Sequence, residues 1–238
     1  MSKIGGFKAI KAMLFPKKCI FCGSLIFESE KNTCSRCADA LPFVRGKICR
    51  KCGCEKKDCS CRSTILFYDR IAAPLYYENE VRKCIHKMKF GSREKYAENL
   101  AEYMFDTMKE RFDGERFDFI AYVPMYESDL KSRGYNQSEI MARRISEITG
   151  LPVKDGLIKK IYKTDKQSRQ SSVRRSGNVM GAFDVAEDVS GCSVLLIDDI
   201  KTSGATLSEC GKMLYLNGAE NVCCLCSAVV NMKKRDKR

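Results

Sequence analysis

"VLLIDDIKTSGATL", residues 194–207, decides the reading of this chain. An apolar run ends in two adjacent carboxylates, Asp198 and Asp199, and continues into a loop of small and hydroxyl residues. Adjacent carboxylates repel, and an apolar run is a poor place for them, so a bound group must make the arrangement worthwhile. Three readings compete. A Walker B strand would require a G-x-x-x-x-G-K-[ST] phosphate loop, and the sequence has none. A strand end with two solvated acids leaves the following loop unexplained. The third reading accounts for both halves. "KTSGAT" joins a glycine and three hydroxyls to a helix starting near Ala205, which is the material of a phosphate cradle. Two carboxylates close by would accept hydrogen bonds from vicinal hydroxyls. A phosphate with two neighbouring hydroxyls at that distance describes a ribose 5-phosphate.

Outward from this stretch, strands alternate with helices. "FDFIAYVP" reads as a buried strand ended by Pro124, and "STILFYDRIAAPLYYE" as one or two strands. "LPVKDGLIKKIY" is short-strand material, and "NVCCLCSAVV" is another buried strand. Tyr96, Leu100, Met104, Met108 and Phe112 recur at steps of four, one face of a helix. A second helix runs from Ser138 to a stop at Gly150, and a third from about Ala205 to Asn217. Residues 163–178 are polar, basic and serine-rich, and are expected as a mobile loop. The alternation predicts an α/β class with a mainly parallel sheet.

The first quarter of the chain differs. Nine of the 15 cysteines fall between residues 19 and 61. Cys19-x2-Cys22, Cys34-x2-Cys37 and Cys49-x2-Cys52 form three knuckles, and Cys59 and Cys61 make a tighter fourth pair. An odd cysteine count argues against a disulfide framework, whereas paired turns that aim two sulfurs at one point suit tetrahedral zinc. Sequential pairing puts Cys19, Cys22, Cys34 and Cys37 on one Zn²⁺ and Cys49, Cys52, Cys59 and Cys61 on a second. The equal spacing also permits interleaving, and Cys54 is a spare thiol able to replace Cys59 or Cys61. All-cysteine sites are closed and therefore structural. Cys223 and Cys226 share the spacing but lie in an apolar strand, where they read as small buried hydrophobes. With His86 as its one histidine, the chain has almost no material for a His–Ser or His–Cys mechanism.

Net charge is +13 over 238 residues, or roughly +9 once two zinc ions and eight thiolates are counted. That balance suits phosphorylated or nucleic-acid partners. No apolar run approaches the ~18 residues of a membrane span, so no membrane insertion is expected. The first 16 residues read as a short amphipathic helix stopped by Pro16 rather than as a leader.

The acidic strand end with its Thr/Ser-Gly-x-Thr loop resembles the phosphoribosyl-pyrophosphate (PRPP) signature of type I phosphoribosyltransferases. With "SRGYNQ" (132–137), the "KTDKQS…RRSGNVMGAF" segment and the cysteine pairs, the chain resembles the ComF-type competence family. The resemblance implies a double zinc ribbon fused to a type I phosphoribosyltransferase fold. Residues 1–66 would hold the N-terminal helix and ribbons, 67–230 the transferase domain, and 231–238 a solvated basic tail. It implies that Asp198 and Asp199 hold the ribose hydroxyls and act in catalysis. Thr202, Ser203, Gly204, Ala205 and Thr206 would bind the 5′-phosphate. Lys131 and Arg133, in a pyrophosphate-side loop, would meet the pyrophosphate, and Lys163, Gln167, Arg174 and Arg175 would belong to the flexible loop. Asn136 also suits a helix cap.

The implied cofactors are structural Zn²⁺ and Mg²⁺ carried with PRPP. The implied setting is a cytoplasmic protein of DNA uptake and natural transformation, with single-stranded DNA and uptake machinery such as a helicase as partners. Phe15, Phe21, Phe27, Phe43 and Phe67 could stack bases or form the core of a small module. Nucleobase salvage and a non-catalytic PRPP sensor are the alternatives. Two departures stand out. Lys201 occupies a position where the family carries a valine-type residue, so it either tightens phosphate binding or points outward. The fourth cysteine pair is C-x-C.

Overall fold

The computed structural model describes residues 16–26, 32–61, 65–90, 94–162 and 179–235. Among them the central sheet is built from β1 (Arg70–Ala72), β2 (Leu75–Tyr76), β3 (Phe119–Tyr122), β6 (Ser193–Lys201) and β7 (Asn221–Val229). Its order is β1-β7-β6-β3, with β2 pairing further along β7, and every pairing is parallel. β4 (Ile158–Lys160) and β5 (Phe183–Val185) form a separate antiparallel pair.

Both faces of the sheet are covered, which is why β6 and β7 read as continuous apolar runs and not as alternating ones. After α1 (Ser35–Ala40) in the cysteine-rich quarter, α2 (Asn79–Phe90), α3 (Glu94–Arg111) and α5 (Gln137–Thr149) share one core with Leu195, Ile197, Cys223 and Leu225. Val194, Leu196, Cys224 and Cys226 face the other, shared with α6 (Ala205–Leu216) and the β4–β5 pair. Cys223 and Cys226 thus point to opposite sides and cannot share one metal ion.

The helix with the four-residue repeat is α3, and Leu100 and Met104 on that face are fully buried. Gly211, in the middle of α6, lies so close to the strand approach that a Cβ there would sit 1.8 Å from the Phe67 carbonyl oxygen. The helix can pack at that depth only without a side chain at this position.

Three local expectations change. The segment after β3, expected as a loop, folds into α4 (Glu127–Arg133), with acids in its first turn and bases in its last, as the helix dipole favours. Helix α2 has no counterpart among the expected elements. The C-terminal residues are not simply a solvated tail: α7 (Met232–Arg235) is held by Lys233 Nζ donating to the Lys57 carbonyl at 2.7 Å and by Lys234 pairing with Glu78 at 3.1 Å. The expected N-terminal helix and the 163–178 loop lie outside the described residues.

Candidate functional site

In a parallel sheet all strands end at the same edge, and ligands of open α/β sheets bind in the crevice beyond it. β3 and β6 are neighbours, so the segments leaving both meet there. Asp198 and Asp199 stand near the end of β6 and are 8% and 6% exposed.

Their partners come mainly from the turn between α4 and α5, "RGYNQS" (133–138). Gly134 ends α4, and the Tyr135 hydroxyl donates to the Met88 carbonyl, tying the turn to α2. Asn136 caps α5: its side-chain oxygen accepts from the Ser138 amide at 3.0 Å, while its NH₂ donates to the Val123 carbonyl at 3.0 Å. The cap turns the first helical residues toward β6. Ser138 Oγ donates to Asp198 Oδ1 at 3.0 Å, and Gln137 Nε2 donates to Asp199 Oδ2 at 3.2 Å. Arg133 donates to Gln137 Oε1 at 2.6 Å, so it joins the same network one bond further out. Lys89, the penultimate residue of α2, forms an ion pair with Asp199.

Burial, then the charge of Asp199, pushes the Asp198 carboxyl up to about 7, against the Asp199 amide, Lys89 and Ser138, which favour the ionised form. For Lys89, burial opposes the charged form, but Asp199 and then Asp198 outweigh it and the ammonium is held above its usual range. The two acids therefore differ: Asp199 has the cation, and Asp198 is poised to exchange a proton near neutrality.

The following loop turns at Gly204, whose φ of +88° favours glycine. A Cβ there would also crowd Lys201 Cε at 3.1 Å and the Tyr68 hydroxyl at 3.2 Å. Helix α6 starts at Ala205, and the Ala205 amide donates to Ser203 Oγ at 3.3 Å. The first-turn amides of α6 and the half-buried Thr202, Ser203 and Thr206 face the region beyond the strand end, a donor set that suits an anion. At the other end of the helix's first turns, Glu209 Oε1 accepts from the Gly181 amide at 2.8 Å.

The site residues expected from sequence divide as follows. Asp198, Asp199 and residues 202–206 are contiguous, and Arg133 reaches them through Gln137. Lys131 is not brought into this network: its ammonium pairs with Glu127 at 2.6 Å on the exposed side of α4. Lys163, Gln167, Arg174 and Arg175 lie outside the described residues. Lys201 does not point outward; it is 4% exposed. Lys89, Gln137 and Ser138 were not expected. The Asn136 cap carried a signal for Gln137 and Ser138, since first-turn residues of a capped helix share its orientation; Lys89 had none, because α2 itself was not read.

The cysteines gather in sequential quartets. Cys19, Cys22, Cys34 and Cys37 form one and Cys49, Cys52, Cys59 and Cys61 the other, with all four sulfurs in each within 4.8 Å of one another. Zn–S bonds of ~2.3 Å in a tetrahedron place sulfurs about 3.8 Å apart, and Cys22 and Cys34 lie at 3.6 Å. Both quartets fit structural zinc. Cys54 belongs to neither: it is 2% exposed and its sulfur lies 3.7 Å from the Val230 carbonyl oxygen. The first quartet packs with α3, where Phe21 meets Tyr103 edge-on at 6.3 Å. Phe21 is fully buried and unavailable to stack bases, Phe43 is half-buried, Phe67 is 40% exposed, and Phe15 and Phe27 lie outside the described residues. Beside Cys49 and Cys59, Lys47, Arg50 and Lys56 line an open groove of about 600 Å³.

Residues 10–65 match the double zinc ribbon domain family. Over 221 residues the chain is 28% identical to the DNA utilization protein YhgH of Salmonella typhimurium, covering 89% of this chain and 97% of that protein. It is 24% identical to competence protein F of Haemophilus influenzae, covering 87% and 95%. Among solved structures, a purine phosphoribosyltransferase from Pyrococcus horikoshii aligns over 55% of this chain and 73% of its own, with 18% identity and a TM-score of 0.37. With a double zinc ribbon followed by a mainly parallel α/β domain, the chain carries the two parts of a ComF-type protein in order and resembles that family over nearly its whole length.

Proposed function

We propose that the edge of the sheet beyond β6 binds PRPP and that the protein is a phosphoribosyltransferase-like factor of DNA uptake. The observation that carries this is the buried Asp198–Asp199 pair joined without a break to the glycine turn and the start of α6. The loop amides and hydroxyls of residues 202–206 would take the 5′-phosphate, and the two carboxylates the ribose hydroxyls. Arg133 supplies cationic reach toward the pyrophosphate side, whereas Lys131 must leave Glu127 to do so. Asp198 and Asp199 would also suit Mg²⁺ arriving with the substrate phosphates, and the bound ion would supply positive charge to offset the pyrophosphate.

In a transfer reaction the bond between the anomeric carbon and pyrophosphate breaks, and the carbon gains cationic character. Negative charge at Asp198 and Asp199 is worth more at that moment than in the ground state. Lys89 limits the charge on the pair in the absence of ligand, and vicinal hydroxyls entering as donors would compete with it for Asp199. Phosphoribosyl transfer to an acceptor is part of the proposal, and so are the flexible-loop roles of Lys163, Gln167, Arg174 and Arg175, the domain limits given above and a cytoplasmic setting. Among the described residues no helix is long and apolar enough to cross a membrane.

The names of the two relatives support a role in DNA handling. The basic groove at Lys47, Arg50 and Lys56 is the surface that suits single-stranded DNA phosphates, with a helicase of the uptake machinery as a partner. The test is thermal protection by PRPP with Mg²⁺, compared with ribose 5-phosphate and with pyrophosphate alone, followed by pyrophosphate release in the presence of nucleobases or single-stranded DNA. Protection by PRPP greater than by either half supports the reading. Equal protection by pyrophosphate alone would reduce the site to a general anion site.

A further inference from the structure

Lys201 is the last residue of β6 and is 4% exposed, yet it makes no ion pair among the described residues. A lysine so largely withdrawn from water, with no carboxylate beside it, calls for another anion nearby. The Lys201 side chain lies against the glycine turn of the phosphate loop, with Cε 3.1 Å from where a Gly204 Cβ would sit. On that side lies the second cysteine quartet. The Tyr68 hydroxyl, which also bounds Gly204, donates to the Lys51 carbonyl at 2.7 Å, inside the Cys49–Cys52 knuckle. The Val230 amide donates to the Lys201 carbonyl at 3.0 Å, and the Val230 carbonyl faces the Cys54 sulfur. Gly53 packs against Val229 and Ile71, and the Ile71 amide donates to the Arg50 carbonyl at 3.0 Å. The knuckle is therefore docked on the strand ends from which the phosphate loop springs.

Lys201 lies within electrostatic reach of the Cys52, Cys54 and Cys226 sulfurs. The first quartet offers a parallel, because Arg36 lies against Cys22, Cys34 and Cys37 from the solvent side. Four thiolates around Zn²⁺ carry a net charge of −2, and a cation beside them offsets it.

We propose that Lys201 is the inner counter-cation of the second zinc centre, so that zinc held by Cys49, Cys52, Cys59 and Cys61 fixes the end of β6 and the phosphate loop that leaves it. Lys201 is then a positioning residue. It links the metal module to the site assigned above to PRPP, and only the consequence for that ligand rests on the proposed function.

The test uses the zinc-loaded full chain without ligand, so its outcome stands whether or not PRPP binds. Zinc release to a chromophoric chelator is followed in the wild type, Lys201→Met and Lys201→Arg, with the first centre as internal reference. The expected result is that Lys201→Met releases one of the two ions about 10–100-fold faster while Lys201→Arg holds both. If Lys201→Met is insoluble, Lys201→Gln takes its place. Hydrogen exchange of the residue 202–206 amides is then compared between Cys61→Ser and Cys22→Ser, and faster exchange is expected in Cys61→Ser alone. Equal zinc release from the Met and Arg variants, or wild-type release from the Met variant, would overturn the counter-cation role. Loop exchange that rises equally in both cysteine variants, or in neither, would overturn the link to the phosphate loop.

Discussion

The Ser138 hydroxyl, in the first turn of α5, donates to Asp198 at 3.0 Å across sixty positions of sequence. A helix cap and a strand end thereby become one site. Ser138 is 1% exposed, so no water replaces it readily. Ser138→Ala should cost about 1–3 kcal/mol through loss of a hydrogen bond to a buried carboxylate. Denaturant unfolding of the ligand-free protein reads it; a change within error would show the bond to be dispensable.

The Lys89–Asp199 pair should behave as a coupled unit. Lys89 is a quarter exposed at its side chain, so the pair is neither fully screened nor fully buried. Lys89→Met should destabilise by about 1–3 kcal/mol, because it leaves an uncompensated carboxylate. Adding Asp199→Asn should recover part of that loss, giving a non-additive double-mutant cycle. Additive losses would mean the two side chains act separately.

Asp198 gives the apo protein a signed pH dependence. An unfolded aspartate titrates near ~3.9, whereas this one is pushed up to about 7 in the folded chain. Between those values the folded state binds the extra proton, so this residue's contribution to stability falls as pH rises from about 4 to about 7 and is flat above. The difference in stability between wild type and Asp198→Asn should therefore shift in favour of the variant across that window. Thermal melts of both proteins at pH 4.5, 6 and 8 measure it, and a constant difference would contradict it.

Much of this was legible in sequence, for physical reasons that differ by element. β6 and β7 were readable because a parallel strand covered on both faces is apolar throughout. α3 was readable because its buried face repeats every four residues, and the cysteine knuckles because C-x2-C turns aim paired sulfurs at a metal, while their equal spacing left sequential and interleaved pairing both open. α2 was not read: Val81, Cys84, Ile85 and Met88 carry its buried face, but Arg82, Lys83 and Lys87 between them dilute the pattern. Lys89 was lost with it. The orientation of Lys201 was open because strand alternation gives a face, and the docking of the second knuckle on that face is a tertiary fact.

Metal content separates the cysteines by role. Native mass spectrometry should find two zinc ions per chain in the wild type and one each in Cys22→Ser and Cys61→Ser. Cys54→Ser should keep both, since its sulfur lies outside each quartet. Loss of an ion from Cys54→Ser would put that thiol among the ligands.

Gly211→Ala tests the depth at which α6 packs. Its new Cβ would overlap the Phe67 carbonyl, a backbone atom that cannot swing aside. The cost should be about 3 kcal/mol or more, although alanine is the better helix former. A neutral or stabilised variant in chemical denaturation would show that α6 can lift from the sheet.

The most direct measurement of the central claim is a calorimetric titration of PRPP with Mg²⁺ into the zinc-loaded wild type and into Asp198→Asn/Asp199→Asn. The account predicts saturable one-site binding to the wild type and its loss in the double variant, with both proteins folded and carrying two zinc ions. No binding to the wild type, or equal binding to both, would contradict a ribose-phosphate site at the end of β6.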